Sequence, residues 1–127
     1  MRTFKTKWLA RFARREGIAD KSLIEAIERA ERGVIDADLG GGLIKMRVAR
    51  RGQGRSGGYR MMVAYRAKDR AVFLFGFAKN EMENIDQDDL LTAREVAADW
   101  LAADDERLAQ AIAAGELKEL SHAHEEA

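Results

Sequence analysis

Three strand-like runs near the middle of the chain constrain its fold more than any other feature. In the first run, residues 43–49, apolar residues alternate with Lys45 and Arg47. This alternation is typical of a half-buried strand with one cationic face. Residues 59–66 and 71–78 are almost continuously apolar, which is typical of strands covered on both faces. The sequence therefore predicts a small central antiparallel sheet.

The links between these runs carry a second signal. The polar link at residues 67–70 has the length of a hairpin turn, so the second and third runs should be antiparallel neighbours. Residues 50–58 contain four glycines together with Arg50, Arg51 and Arg55. This composition predicts a mobile loop whose backbone and cations approach an anion, such as an RNA phosphate. The loop is not a phosphate-binding P-loop, because the Gly-Lys-Ser/Thr end is missing.

A pair of helices is predicted ahead of the sheet. Residues 3–6 are predicted to form a short opening strand, and helical spacing of apolar residues places the first helix at about residues 7–16. Trp8 and Phe12 lie on its apolar stripe and are interpreted as core aromatics rather than as a base-stacking platform. Asp20 is predicted to cap the second helix, and the Ser-x-x-Glu pattern that follows resembles a capping box. Together these two helices form the predicted helical hairpin.

Two acidic helices are predicted after the sheet. Asp86 begins an acidic turn suited to a helix N-terminus, and the helix should end near residue 103. A further helix begins at Asp104, with Ile112 on its inward face, and residues 116–120 form a small extended piece. The predicted fold class is α+β, with an N-terminal helical hairpin packed on a small central antiparallel sheet and followed by C-terminal helices.

The length and composition fit one small domain over residues 1–127. The sequence contains no cysteine, and it has neither an apolar run of membrane-spanning length nor a leader for export. We therefore expect a cytoplasmic protein that has no membrane partner.

The charges are divided unevenly along the chain, although the formal net charge is +0. Residues 1–80 hold 19 Lys and Arg against 8 Asp and Glu, whereas residues 81–127 hold 3 against 14. The basic part contains the predicted sheet and favours a polyanionic partner such as RNA or DNA. The acidic part includes a C-terminal helical extension at about residues 104–127 and could fold back on the basic part or keep it off nonspecific nucleic acid. The alternative is a solvated pair of acidic C-terminal helices without such a role.

The residue types available limit the chemistry that the chain can perform. Without cysteine, and with both histidines near the C-terminus, an active site must be built from Lys, Arg, Tyr and carboxylates. Cleavage of RNA fits this set, because the 2′-hydroxyl is an internal nucleophile. The protein need only align that group, stabilise the phosphorane and move two protons, and no metal or other cofactor is required.

The candidate catalytic residues lie on the first run and at the ends of the other two. Arg60, expected at the start of the second strand, is suited to stabilising the phosphorane but is a poor base. Lys45 is the better general-base candidate, because the neighbouring cations favour its neutral form. Lys79 is placed to protonate the leaving oxygen or to bind phosphate, with Glu81 or Asp86 as a further acid or base.

The sequence around these residues resembles a known family. Residues 40–60, GGGLIKMRVARRGQGRSGGYR, and residues 75–81, FGFAKNE, are similar to RelE-type toxins of bacterial type II toxin-antitoxin systems and to their HigB-like branch. The resemblance spans about residues 4–120 and implies a RelE-like fold. It also implies an endoribonuclease, or mRNA interferase, that cleaves messenger RNA on the ribosome, inhibits translation and is neutralised by a cognate antitoxin protein.

The resemblance also implies a set of functional residues. Many members place an arginine at the exit of the third strand and a catalytic tyrosine shortly after it, whereas this chain has Asn80 there and no tyrosine near Asp86. The departure bears on proton transfer more than on phosphate binding. The implied residues are Lys45, Arg47, Arg60, Lys79, Asn80 and Glu81.

Two other functions are compatible with the same fold. A ParE-like gyrase-binding poison would act by binding a protein and would need no RNA chemistry. A regulatory module that binds RNA or protein could have kept the fold and lost catalysis, which is suggested by the missing tyrosine. The cationic strand face argues against the gyrase-binding reading.

Overall fold

A six-stranded mixed sheet organises the molecule. The computed structural model describes residues 1–50, 54–78 and 86–121, without the side chains of residues 50 and 54–57. The strands are β1 (Arg2–Thr6), β2 (Ala37–Gly40), β3 (Leu43–Arg50), β4 (Gly54–Arg66), β5 (Arg70–Ala78) and β6 (Leu117–Leu120). The helices are α1 (Lys7–Glu16), α2 (Asp20–Glu31), α3 (Gln87–Ala102) and α4 (Asp105–Ala113).

The strand order is β2-β3-β4-β5-β1-β6. β1 pairs with β5 in parallel, and the other neighbouring strands are antiparallel. The predicted fold class is therefore wrong. The opening strand predicted at residues 3–6 is present as β1, but it is a full member of a mixed, six-stranded sheet, whereas a small antiparallel sheet was predicted. Local periodicity could not show this, because the insertion of β1 between β5 and β6 depends on contacts between distant parts of the chain.

Helices cover both faces of the sheet, so the molecule has two apolar cores. On one face, Ile44, Met46 and Val48 of β3 pack with residues of α1 and α2. On the other face, Leu43 and the β4 residue Met62 pack with residues of α3 and α4. The predicted coverage of the central strands on both faces is confirmed. The predicted alternation of β3 is also confirmed, because Lys45 and Arg47 lie on the face opposite Ile44 and Met46.

The predicted boundaries of α1 are confirmed, and Gly17 ends the helix in the left-handed conformation. Two interpretations in this region are wrong. Trp8 is 50% exposed, although its neighbour Phe12 is buried. The N-cap of α2 is Ala19 without a side-chain hydrogen bond, and Asp20 is the first helical residue. The predicted capping box is therefore absent, and burial of the apolar stripe of α2 must stabilise the helix instead.

The glycine-rich stretch is partly strand. β4 begins at Gly54, and Gly54 pairs with Arg50 across a register shift in the β3–β4 ladder. The prediction of a loop up to residue 58 is wrong at this point, because pairing with β3 outweighs the weak strand preference of glycine. Both C-terminal helices lie where predicted, with Asp86 and Asp104 as their N-caps.

The C-terminal helices differ from prediction at one position. Ile112 was expected to point inward and is 37% exposed, whereas Leu108 of the same helix is fully buried. Among the described residues, no helix combines the length and the apolar content needed to cross a membrane.

Two tight contacts fix the central strands. Gly76 of β5 passes so close to β4 that an added Cβ would lie 2.5 Å from Met61 Sδ and 3.1 Å from the carbonyl oxygen of Arg60. At the other end of β5, the buried Arg70 side chain donates to the carbonyl oxygens of Trp100 at 2.7 Å and Ala103 at 2.7 Å. Arg70 thereby satisfies carbonyls at the end of α3, which would otherwise lack partners.

Candidate anion-binding site

Three cations surround one carboxylate at the β3–β4 ladder. Arg47 Nε lies 2.7 Å from Asp36 Oδ1, whereas Lys45 Nζ and Arg60 Nε each lie 3.9 Å from Asp36 Oδ2. The Asp36 side chain is only 13% exposed. We call these four residues the Asp36 cluster. Because one negative charge faces three positive charges, the cluster can accommodate a further anion.

Strand pairing places the members of the cluster. Arg47 and Arg60 are direct partners in the antiparallel ladder, so their side chains leave the same face of the sheet. Lys45 lies two residues from Arg47 on that face. Asp36 immediately precedes β2, and its backbone N–H donates to the carbonyl oxygen of Lys45 at 3.1 Å. The carboxylate is therefore positioned by the same ladder that positions the cations.

Arg60 is buried, with only 9% of the residue exposed, and it lies well inside β4 rather than at its start. The expectation that Arg60 lies at the start of the strand is therefore wrong. Its Nη1 atom is buried and has no hydrogen-bond partner in the part of the chain that the structure describes. A buried donor of this kind is costly unless a partner binds it. An anion that binds beside Arg60 would satisfy this donor.

The second helix supports the cluster from behind. The Arg29 guanidinium reaches from α2 and donates through Nη2 to the carbonyl oxygen of Arg47. Nη1 of the same side chain donates to Glu25 at 3.2 Å. Arg29 also borders a surface groove with Asp36 and Arg47. Its charge adds to the positive potential beside the cluster.

Both tyrosines of the chain face away from the Asp36 cluster. Tyr59 belongs to the core formed with α1 and α2, and its hydroxyl donates to Glu16 at 3.0 Å. The Tyr65 hydroxyl donates to Glu31. Burial, followed by this hydrogen bond, raises the pKa of the Tyr65 phenol. Neither phenol is therefore placed to move a proton at the cluster.

The structure brings together Lys45, Arg47 and Arg60 from the predicted set. The other assignments remain predictions, because they lie outside the described residues or involve side chains that are not described. They are Lys79, Asn80, Glu81, Arg51, Arg50 and Arg55.

Sequence reasoning missed Asp36, which belongs to no motif and lies in a short link between α2 and β2. One signal could have found it. Residues 39–68 contain no Asp or Glu, so a counterion for the cations of β3 had to come from elsewhere in the chain. The missed carboxylate also changes the argument for Lys45, whose neighbours include an anion as well as cations.

One protein family matches nearly the whole chain. The match covers residues 1–120, and the family is described as the RelE toxin of the RelE / RelB toxin-antitoxin system. The class is therefore a toxin component of a toxin-antitoxin pair. The chain belongs to the RelE toxin family, which confirms the resemblance to RelE-type toxins and implies a cognate antitoxin as partner. No curated protein matches the chain at a significant level. Both α4 and β6 lie within the matched range.

Proposed function

We propose that this toxin is a cytoplasmic endoribonuclease of the HigB-like type that cleaves messenger RNA on the ribosome and thereby inhibits translation. The observation that carries this proposal is the Asp36 cluster, in which cations from two strands converge and a buried Arg60 donor has no partner among the described residues. Guanidinium groups bind phosphate oxygens through directed hydrogen bonds. The scissile phosphate is assigned to this site.

In the proposed reaction, the RNA supplies its own nucleophile. The 2′-oxygen attacks the adjacent phosphorus and forms a P–O bond, while the P–O bond to the 5′-oxygen of the next nucleotide breaks. One proton leaves the 2′-hydroxyl and another reaches the 5′-oxygen, so the products carry a 2′,3′-cyclic phosphate and a 5′-hydroxyl. Water and metal need not enter this step.

Arg60 is assigned to the phosphorane, because its buried guanidinium is preorganised and its charge is poorly screened by water. Arg47 is 48% exposed and Lys45 is 29% exposed, so both can contact incoming RNA. Lys45 remains the general-base candidate. Lys79 is assigned to the leaving oxygen, with Glu81 as a further acid or base.

The cluster also suggests how the antitoxin neutralises the toxin. Asp36 demonstrates that a carboxylate fits among these cations. An antitoxin segment that carries Asp or Glu would compensate the remaining positive charge and exclude RNA phosphate from the same site. Purified toxin and the product of its neighbouring gene should then co-elute from a sizing column, and separate elution would count against this partner.

Mapping RNA 5′ ends in growing cells tests the proposed activity. The chain is induced without its antitoxin, and fragments with 5′-hydroxyl ends are sequenced. We expect new ends within translated codons, and we expect them to disappear from a reporter messenger whose start codon has been removed. The untranslated regions of the same transcript serve as the control, and the frequency of new 5′ ends in them is compared with that in the translated codons.

Each other outcome identifies a different function. A DNA-damage response without new RNA ends would favour the gyrase-binding poison. Growth without either effect would favour the inactive binding module. New RNA ends that persist after removal of the start codon would support ribonuclease activity but show that cleavage does not require ribosomes.

A further inference from the structure

The outer face of α1 carries a cationic stripe that the Asp36 cluster does not include. Lys7, Arg11 and Arg14 are exposed and follow i, i+4, i+7 spacing, which places them on one side of the helix at intervals of about one turn. Within the described ranges, none of the three has a carboxylate at ion-pair distance, whereas Arg15 pairs with Glu16 at 3.5 Å. The positive charge of the stripe is therefore uncompensated by the residues that the structure describes.

Helix stability does not explain this charge distribution. Arg14 lies in the last turn of α1, where a cation interacts favourably with the helix dipole. Lys7 is the first residue of the helix, and the first turn contains no acidic residue. A cation in that position opposes the dipole. A ligand that needs a continuous row of cations would account for Lys7.

An aromatic ring lies beside the stripe. Trp8 is 50% exposed and stacks on Phe12, with ring centroids 5.3 Å apart and planes at 24°. The interior strand β5 fixes the indole further, because its Phe75 ring contacts the indole in a T-shaped arrangement with ring centroids 6.1 Å apart. Phe12 covers one face of the indole, and two aromatic contacts hold the ring in place. The uncovered face is thus a preorganised stacking surface.

Two grooves flank this helix face, and Lys7 and Arg11 border both of them. Trp8 lines the groove on one side. Arg14 and Lys118 line the groove on the other side. A flexible, negatively charged chain can therefore contact the cations and the indole together.

We propose that this face of α1, defined by Lys7, Trp8, Arg11 and Arg14, binds single-stranded RNA. An unpaired base stacks on Trp8, and the backbone phosphates pair with the three cations. An acidic peptide would satisfy the cations but has no base to stack on the exposed indole. The RNA contact requires no cleavage, so it stands independently of the activity proposed for the Asp36 cluster.

The sheet connects this face to the Asp36 cluster. Phe75, which contacts Trp8, lies two residues before Phe77 in β5. Phe77 is the direct ladder partner of Arg60. A strand of RNA that occupies the Asp36 cluster therefore has a second contact surface near the same end of β5.

Binding is best measured with RNA that cannot be cleaved. A short mixed-sequence oligonucleotide with 2′-O-methyl groups lacks the internal nucleophile, so its affinity is read separately from activity. The chain has two tryptophans, and a Trp100→Phe background leaves Trp8 as the only indole. We expect RNA to quench this fluorescence, because a stacked base contacts the ring.

Two kinds of variant separate stacking from charge. RNA affinity is measured by fluorescence anisotropy. Trp8→Leu keeps an apolar contact with Phe12 and should weaken RNA binding by roughly 5- to 150-fold. The salt dependence of binding should not change. The double variant Lys7→Gln, Arg11→Gln should weaken binding and lower the slope of log affinity against log salt by about 1.4, since each phosphate contact of a single strand contributes about 0.7.

A matched double variant on α2, Lys21→Gln with Arg32→Gln, removes two exposed cations away from α1 and should leave affinity and slope almost unchanged. Equal losses in the two double variants would overturn the proposal. The proposal is also overturned if Trp8 fluorescence does not respond to RNA. A third contrary outcome is that a polyglutamate peptide of equal charge displaces RNA from wild type and from Trp8→Leu at the same peptide concentration. Thermal melting of each variant excludes loss of folding as the cause.

Discussion

Arg47 and Arg60 lie directly opposite each other on the β3–β4 ladder, although like charges in this arrangement repel. Asp36 offsets the repulsion unequally, with its carboxylate 2.7 Å from Arg47 Nε and 3.9 Å from Arg60 Nε. A sheet selected only for stability would not pair two guanidinium groups in this way. The arrangement fits the proposed phosphate site, in which a bound anion would add negative charge between the strands.

Asp36→Asn should make the protein more dependent on added phosphate. The substitution removes the negative charge that faces three cations, so we expect the unfolding free energy to fall by about 1–3 kcal/mol in buffer without phosphate. Inorganic phosphate should then restore more stability to the variant than to wild type, because it no longer competes with a carboxylate. Urea unfolding across a phosphate series measures both effects.

Asp38→Asn is the control for this experiment. Asp38 lies two residues away and accepts a hydrogen bond from the backbone N–H of Gly40 at 3.0 Å, a contact that Asn can also accept. Its response to phosphate should match that of wild type. Equal phosphate stabilisation of Asp36→Asn and wild type would contradict the placement of an anion in the cluster.

Arg60→Met should reduce RNA cleavage far more than stability. Loss of one preorganised charge that stabilises the transition state typically lowers the rate by about a hundred- to a thousandfold. The loss of stability should be limited, because Arg60 Nε lies 3.9 Å from Asp36, which would retain its short contact with Arg47. The substitution also removes a buried donor that has no partner among the described residues. Cleavage of ribosome-bound messenger RNA and the melting temperature should be measured together.

The exposed residue Arg32 of the α2 C-terminus provides the control, since Arg32→Met removes a cation outside the cluster. Its cleavage rate should stay close to that of wild type. If Arg60→Met retains full activity, the assignment of the scissile phosphate to this site is wrong.

Arg70→Met should destabilise the fold without directly affecting the Asp36 cluster. The substitution leaves the carbonyl oxygens of Trp100 and Ala103 without the donor that they have in the native protein. Hydrogen bonds from charged groups contribute about 1.5–3 kcal/mol, and the loss should lower the urea midpoint. Arg66→Met removes a more exposed side chain that donates to a single backbone carbonyl, that of Leu101, and to the exposed carboxylate of Asp69. It should have a smaller effect. Equal midpoints for the two variants would contradict the role given to Arg70.

Local patterns were sufficient to predict the elements that depend on short-range physics. The range of α1 follows from helical spacing and from Gly17, and the alternation in β3 predicts which side chains are apolar and which are cationic. The same patterns selected Lys45, Arg47 and Arg60 as candidate site residues, and period two places Lys45 and Arg47 on one face. The β3–β4 pairing that sets Arg60 opposite Arg47 is seen only in the structure.

The remaining features depend on distant contacts. Parallel pairing of β1 with β5 is visible only once the chain has folded. Trp8 lies on an apolar helix stripe, yet it stays half exposed beside the rings of Phe12 and Phe75. Asp36 joins the candidate site through the β2–β3 pairing and not through any motif. Such positions are where long-range geometry overrides local preference.

The Arg2–Glu119 pair should contribute a pH-dependent part of the stability. Arg2 on β1 donates from Nε and Nη2 to the two carboxylate oxygens of Glu119 on β6, each at 2.9 Å. The hydrogen bond from Arg2 lowers the pKa of the Glu119 carboxyl from its ordinary value of 4.5. Because the folded state holds the ionised form more strongly, this stabilisation is present above pH 4.5 and is lost as the pH falls through the lowered pKa.

Glu119→Gln removes that ionisable group while nearly preserving its shape. Both partners are partly exposed, at 44% and 38%, so the unfolding free energy near pH 7 should fall by only about 0.2–1 kcal/mol. The difference from wild type should shrink as the pH falls below 4.5, since wild type then loses the same interaction. Urea unfolding at several pH values measures this, with Asp105→Asn as the control because Asp105 is 94% exposed and lies 3.6 Å from Arg2. A difference that stays constant through this range would show that Glu119 stabilises β6 by packing rather than by charge.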